Sequence, residues 1–399
     1  MNLFTDVVLG DPVSTKKLSI QGQTKNFDVY RIPIEYLLYN KKNGRIATYV
    51  SEFIDEGNEF PQKNIEEFNN IIEKYIEQSN PEALKKTKAN IKIMSQTEPA
   101  VVMENGIILD GNRRFTSLRQ LTKEGAGAEF GYLEAVILPN DKYTEKDIKR
   151  LELNLQHAIE SKVDYNPIDR LVDIYRDLIE NKAFTPEEYA TETQIPVRKI
   201  NEDIEVAKLM VEYLAYIEQP KKFYIAREQK IDGPIREIHK ILKSNKVNLN
   251  ENNEIKELLF LNILSLDGDV SRRIRDLKPV LEDKKSREAI INDFEEKEIF
   301  DDANDFFESS STKEDVKKNR VINFEKNLKK QVSNLTETYV ESKKLSKAQN
   351  QPIEILNKVL ILIKEVDFEA VERMDNNLKN IFKTSLENIS QQIQELENL

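Results

Sequence analysis

The sequence predicts an α+β N-terminal domain followed by mostly α-helical domains, in a chain that is helix-rich overall. Three observations carry that reading. Glycine and proline are scarce, at 11 and 13 of 399 residues, which favours long helices over loop-rich β architecture. Between residues 100 and 138 the apolar residues fall into short β-prone runs separated by turns, and beyond Asp141 helical spacing dominates. The length exceeds one ordinary core, and a 39% hydrophobic fraction can fill several, so multiple domains are expected and wholesale disorder is excluded.

Taken in order, residues 1–27 read as an N-terminal arm with one strand. Residues 28–145 read as the α+β domain. Val29 to Leu38 gives an apolar run and then a helical turn. From Lys63 to Ile91, Ile65, Phe68, Ile72 and Ile76 put one stripe on a charged helix. Ala100–Met103 and Ile107–Leu109 flank Glu104-Asn105-Gly106 as a hairpin, because Asn-Gly tolerates the positive φ of such turns. A helical pattern follows through Leu118 and Leu121, then a strand from Leu133 to Leu138.

Residues 146–250 read as a helical domain. Asn166-Pro167 is a cap followed by a proline at the first helical position, and Thr185 with Glu188 forms a capping box. A third start at Ile195-Pro196 completes the layout of a helix-turn-helix. Beyond it, 251–300 reads as a helical extension and 301–315 as an acidic linker. Residues 316–399 read as a C-terminal helical hairpin or bundle, broken at Gln351-Pro352. The seam Ile353, Leu356, Leu360 and Ile363 suits self-association, so a homodimer is expected.

Composition narrows the chemistry. No cysteine means no disulfide, thiolate zinc site or cysteine nucleophile, and two histidines, His157 and His239, leave little for imidazole chemistry. No apolar run reaches the roughly 18 residues of a membrane span. Met1-Asn2-Leu3-Phe4 lacks the layout of a secretory signal, so no membrane association and a cytoplasmic location are expected. A net charge of -11 argues against coating nucleic acid everywhere but leaves room for one basic face.

The segment Asp110-Gly111-Asn112-Arg113-Arg114 has the ingredients of an anion site. A strand ends, glycine admits a close backbone approach, and a helix begins whose free N–H groups point outward. Arg113 and Arg114 add bidentate donors suited to phosphate, and Thr116 and Ser117 could add hydroxyls. A plain hairpin-to-helix turn with solvated arginines stands as the alternative at this point.

The wider order of motifs resembles the N-terminal domain of the ParB/sulfiredoxin-like superfamily. The run EPAVV, a turn, IILDGNRRFTSLRQL and a strand at LEAVIL resembles its strand–turn–strand leading into a Gly-x-x-Arg helix. Leu153-Asn154-Leu155-Gln156-His157 and Asp164-Tyr165-Asn166-Pro167-Ile168-Asp169 resemble ParB segments that precede its helix-turn-helix, and Ile32-Pro33-Ile34 with Arg45 resembles the opening strand and its arginine. The resemblance implies a nucleotide-dependent switch of a bacterium, phage or mobile element. It would bind CTP, or another nucleoside triphosphate, with magnesium, close on DNA, and hydrolyse the nucleotide slowly. The implied nucleotide-binding residues are Arg45, Asp110, Gly111, Asn112, Arg113, Arg114, Thr116 and Asn154. No catalytic or metal residue is assigned.

Three departures matter. Asn112 stands where ParB usually has glutamate. The glutamate expected before Asn154 is Leu153, with Glu152 one position earlier, and the closing arginine is His157. Hydrolysis is thereby put in doubt, and an interaction or scaffold protein of the same fold is the alternative. A nucleotide-hydrolysing or nuclease component of a phage-defence system is a third reading, while sulfiredoxin activity is excluded for want of a cysteine. For DNA, the candidates are Arg198, Lys199, Asn201 and Lys208 on the second helix of the motif, with Lys221 and Lys222 opening a basic stretch.

Overall fold

The alternation Lys17-Leu18-Ser19-Ile20 turns Leu18 and Ile20 to one face of a strand. The computed structural model describes residues 2–159, 166–247, 252–311 and 324–398. In it, the stretch that reads as an arm with one strand carries one whole strand and the start of a second. After a short turn of helix, α1 (Leu3–Asp6), β1 (Ser14–Ile20) pairs antiparallel with β2 (Gln23–Pro33), register Ser14 to Val29. With β3 (Ala100–Met103), β4 (Ile108–Asp110) and β5 (Tyr132–Leu138) they form one five-stranded sheet, in the order β1-β2-β5-β3-β4. Only the β3–β5 pairing is parallel. The expected hairpin is β3–β4, with Gly106 at φ +88° in its turn.

The central β5 buries Leu133, Ala135, Val136, Ile137 and Leu138. It therefore reads as a continuous apolar run, as a strand covered on both faces must. On one face Ile72 of α3 (Ile65–Ser79) and Phe115 and Leu118 of α5 (Asn112–Lys123) pack against Ile32, Val102 and Leu133. On the other, Leu151 and Leu155 of α6 (Glu145–Ile159) cover Leu18, Val29, Val101 and Val136. Helix α2 (Ala47–Asp55) precedes α3. The single helix expected from Lys63 to Ile91 is two, α3 and α4 (Pro81–Met94). Asn80 ends the first and caps the second by accepting the Ala83 N–H at 2.9 Å, and Pro81 supplies the first turn.

The helical starts read from the sequence are present. Asn166 accepts the Ile168 N–H at 2.9 Å and caps α7 (Pro167–Ile174), which continues into a π-helical turn, Tyr175–Glu180. Thr185 and Glu188 cap α8 (Pro186–Thr193) reciprocally, and α9 (Val197–Tyr216) follows a left-handed Gln194. Asp203 of α9 is fully buried, reached by Arg170 of α7 at 2.7 Å and, from α11 (Asp232–Leu242), by Arg236 at 2.6 Å. One carboxylate thus pins three helices, with α10 (Phe223–Glu228) between α9 and α11 in sequence.

Helices α12 (Asn252–Ser265), α13 (Val270–Glu282), α14 (Lys284–Glu296) and α15 (Ile299–Ser311) extend this domain. The stretch expected as an acidic linker from 301 is helical through Ser311, because Ile299, Ala303 and Phe307 form a buried stripe at four-residue steps; its last residues, 312–315, lie outside the described ones. The chain divides into two compact units, residues 1–337 and 338–399. Helix α16 (Lys326–Lys364) runs through Pro352, where a break was expected. Proline removes one helical hydrogen bond there, and the helix continues on both sides of it. The second unit also holds α17 (Phe368–Glu372) and α18 (Asn376–Glu397), neither of which buries a residue.

The α+β and helical parts of the first unit meet at Asp169 of α7. Its buried carboxylate accepts from Thr48 of α2 at 2.8 Å and pairs with Arg227 of α10 at 3.0 Å. Burial pushes the carboxyl up to about 7 in spite of Arg227 and Thr48, with Asp173 adding to the rise. An unfolded aspartate titrates near ~3.9. Between these values the folded chain keeps a proton that the unfolded chain has lost, so stability falls as pH rises across that window. The heat-unfolding midpoint should decline from pH 5 to pH 8, and Asp169→Asn should make that decline shallower; an unchanged slope in the variant would show that Asp169 is not its source.

Candidate functional site

Strand β4 ends at Asp110 and helix α5 begins at Asn112, so the whole reversal falls on Gly111, at φ +104° and ψ 17°. A Cβ there would lie 2.7 Å from the Ala100 Cβ and 3.1 Å from Arg114 Nη2. Both the dihedral and the space demand glycine. The first helical hydrogen bond runs from the Phe115 N–H to the Gly111 carbonyl at 2.9 Å, and the N-cap, a glycine, has no side chain to cap the N–H groups before it. An uncapped helix start of this kind favours an anion, through both its N–H groups and its dipole.

That helix start opens on a cavity of about 280 Å³. Its charged lining is Arg45, Arg113 and Arg114 against Glu98 and Asp110. Arg45 comes from the 3₁₀ turn Gly44–Ile46, whose entry Asn43 fixes by accepting the Arg45 N–H at 3.0 Å. Across the cavity, Ile76, Ile91 and Met94 supply an apolar wall, and Thr87, Asn90 and Gln96 supply amide and hydroxyl groups. Ser95, at φ +61° and ψ −162°, ends α4 in a backbone conformation rare for a residue with a side chain, and it lines the same cavity.

Inside the motif the residues divide by role. Arg114 Nη2 meets Asp110 Oδ2 at 2.8 Å, one helical turn apart, and both side chains are about five-sixths buried, at 17% and 16% exposed. Asn112 is 9% exposed, lines the cavity, and its Oδ1 has no hydrogen-bond partner. A buried amide oxygen without a partner costs about 1–3 kcal/mol and marks a place where a ligand or water belongs.

Two of the expected ligand residues lie elsewhere. Thr116 is fully buried beneath α5; its hydroxyl meets Tyr39 Oη at 2.7 Å and donates to the Asn112 carbonyl at 3.0 Å. It supports the helix start and does not line the cavity. Asn154 donates to Glu192 of α8 at 2.7 Å, so it joins α6 to the helix-turn-helix. Its neighbour Glu152 is buried in an ion cluster, 3.5 Å from Lys149, which also lies 3.6 Å from Asp177. Burial raises the carboxyls of both Glu152 and Asp177, with Asp173 adding to the rise. Asp164, Tyr165 and the side chains of Gln156 and His157 lie outside the described residues.

One residue the motif reading missed is Lys16. It is 9% exposed, donates to the Pro99 carbonyl at 2.5 Å and sits 3.9 Å from Glu98. Burial lowers its pKa, Asp110 pulls it back up, and Arg114 pushes it down again. These opposed influences place its charge behind the Asp110–Arg114 pair. Nothing in Lys16-Lys17, met as a polar tract, distinguishes the buried lysine from the exposed one.

On the helix-turn-helix, Arg198 and Asn201 are exposed at the start of α9. Lys199 lies 3.2 Å from Glu202 and 3.4 Å from Asp203, and Lys208 lies 2.9 Å from Glu205. Lys221 meets Glu180 at 2.5 Å, and Lys222 meets Asp55 at 3.4 Å. Two arginines of the expected basic stretch, Arg227 and Arg236, turn inward to Asp169 and Asp203. Among the described residues no group of three or more histidine, aspartate or glutamate side chains is arranged to hold a metal ion, the acidic residues of α15 included. No helix among them is long and apolar enough to cross a membrane.

No protein-family model and no curated protein matches the chain. Among solved structures it is similar to the C-terminally truncated chromosome-partitioning protein ParB from Caulobacter crescentus complexed to the centromeric parS site. Identity is 13%, the TM-score is 0.31, and the match covers 62% of this chain and 97% of that one. Likeness at that level carries no conclusion about function.

Proposed function

We propose that the protein binds a nucleoside triphosphate in the cavity before α5 and binds DNA through its helix-turn-helix, as a ParB-like switch. The observation that carries the nucleotide part is the uncapped start of α5, flanked by Arg45 and Arg113, facing an apolar wall across a cavity of about 280 Å³. A ligand with a phosphate tail and a flat, weakly polar body matches both ends of that lining. The order of short motifs around Asp110-Gly111-Asn112-Arg113-Arg114 makes CTP the first nucleotide to test.

The lining fits the phosphates better than it fits a protein-held metal. Its two carboxylates are Asp110, committed to Arg114, and Glu98, whose side chain is largely exposed. Magnesium, when present, would be held chiefly by the nucleotide's own oxygens. Glu152 and Asn154 do not line the cavity, so the reading is a binding site whose hydrolytic residues are not assigned. Calorimetric titration with CTP, ATP and GTP in magnesium should give saturable binding for at least one, weakened about tenfold or more in Arg113→Ala. Affinity that survives the substitution, or no binding by the wild type, rejects the nucleotide part and leaves the scaffold reading.

For DNA, the support is the exposed pair Arg198 and Asn201 at the start of α9, where a second helix meets base edges. Asp203 is buried, so it does not face a bound phosphate as a surface acid would. Lys199, Lys208, Lys221 and Lys222 rest against carboxylates, and the solvent-exposed pairs among them, Lys208–Glu205 and Lys221–Glu180, are weak enough to open for a phosphate. Fluorescence anisotropy should show affinity falling steeply with salt, with Arg198→Ala costing about 1–3 kcal/mol and relaxing the sequence preference. Salt-independent binding would remove DNA as a partner.

Self-association belongs to the same reading. On α18, Phe382, Leu386, Ile389, Ile393 and Leu396 follow steps of four and three, and the last four are 39–54% exposed. A seam of that spacing on a helix that buries nothing needs another helix against it, and a second copy of the chain offers the same seam. Sedimentation should report a dimer for the wild type and a monomer for Ile389→Asp; a monomeric wild type refutes this part.

A further inference from the structure

Helix α4 carries Lys85, Lys86, Lys88 and Lys92 against a single acid, Glu82, in a chain whose net charge is -11. Leu84 and Ile91, seven residues apart, are buried and fix which side of the helix faces the protein. Thr87, Asn90, Ile91 and Met94 line the cavity before α5, and none of the four lysines does. The charge of α4 is therefore not spent on the candidate nucleotide site.

One lysine is drawn inward. Lys88 is 25% exposed and meets Glu124, at the end of α5, at 2.5 Å. The other three, Lys85, Lys86 and Lys92, are exposed, and none has a carboxylate within 4 Å among the described residues. The helix-turn-helix and the stretch after it differ in this respect, since Lys199, Lys208, Lys221 and Lys222 each rest against a carboxylate. A lysine that must first leave a carboxylate gives up part of what it gains from a phosphate. The lysines of α4 have no such exchange to make.

Helix geometry groups these three side chains. At roughly 100° per residue, Lys85 and Lys92 fall within about 20° of each other, and Lys86 lies about 100° from Lys85. Between them the exposed Ala89 keeps the surface low. From Lys85 to Lys92 the helix rises about 10 Å, a length over which a duplex presents about six phosphate charges. Ile93, 81% exposed, would suit a polypeptide instead. It is one apolar side chain beside three cations without acidic partners, and charge complementarity favours a polyanion.

We infer that the outer face of α4 contacts the phosphate backbone of duplex DNA through Lys85, Lys86 and Lys92, without regard to sequence. The inference rests on the DNA part of the reading above and adds a surface outside the helix-turn-helix. Lysine meets phosphate as a mobile point charge and reads no base, so the contribution is electrostatic and equal for every sequence.

The test uses the full chain and two duplexes of unrelated sequence, with affinity followed by anisotropy between about 50 and 200 mM salt. Combining Lys85→Gln, Lys86→Gln and Lys92→Gln should lower the salt slope by about two to three on both duplexes. Arginine at the same three positions should preserve the slope. Lys17→Gln with Lys25→Gln, two exposed positions of the β1–β2 hairpin, controls for net charge and should change the slope by less than about one. No DNA binding by the wild type overturns this inference together with the DNA reading. Salt-dependent binding whose slope survives the triple substitution, or falls as far in the hairpin variant, overturns this inference alone and returns α4 to the polypeptide that Ile93 would suit.

Discussion

The candidate anion site depends on a backbone reversal that admits no side chain. With Gly111 at φ +104° and Ala100 directly behind it, β4 can pass straight into α5 while β3 stays packed alongside. Any larger residue would push the helix start away from the sheet, and with it the N–H groups, Arg113 and Asn112. The first turn of the helix is held from beneath as well. Phe115 and Leu118 are fully buried, and the Tyr39–Thr116 hydrogen bond locks the first turn from below. Close packing of this kind holds a binding constellation in place before any ligand arrives.

Much of the architecture was legible because local signals and tertiary need coincide. Glu104-Asn105-Gly106, Asn166-Pro167 and the Thr185–Glu188 box each carry a turn or cap whose chemistry does not depend on distant residues. The β1–β2 hairpin was less legible. Its strand β1 is polar on its exposed face, and only Leu18 and Ile20 mark the buried one. The split between α3 and α4 hides for the opposite reason: the apolar spacing continues across Asn80-Pro81, and only the cap chemistry reveals two helices. In α15 the acidic residues obscure a buried stripe one turn apart.

The functional residues were legible where they share a short segment and hidden where the fold brings them together. Asp110 to Arg114 announce themselves in five consecutive positions. Lys16 and the Ser95-Gln96 pair come from separate parts of the chain, and no spacing rule connects them to the motif. Charge counting misled for a related reason. Arg227 and Arg236 belong to a stretch with a basic surplus, yet each is spent on a buried carboxylate, so the surplus is smaller at the surface than in the sequence. Buried acids such as Asp203 shift the balance the other way, since a residue that reads as repulsive to phosphate is enclosed by arginines.

The Asp110–Arg114 pair sets the terms on which the cavity can accept an anion. Held at 2.8 Å and largely shielded from water, the pair is already neutral, so Arg114 brings little net attraction until Asp110 lets go. The helix start and the Arg45 and Arg113 guanidiniums line the same cavity beside that pair. A ligand phosphate that displaced Asp110 from Arg114 would leave a largely buried carboxylate whose charge still acts on the buried Lys16. Lys16 therefore has a reason to be buried that its hydrogen bond to Pro99 does not supply: its charge can offset that of Asp110 while Arg114 changes partner. An exchange of that kind couples occupancy of the cavity to β1 and to the segment that follows α4, two elements that a rigid arginine cradle alone would leave untouched.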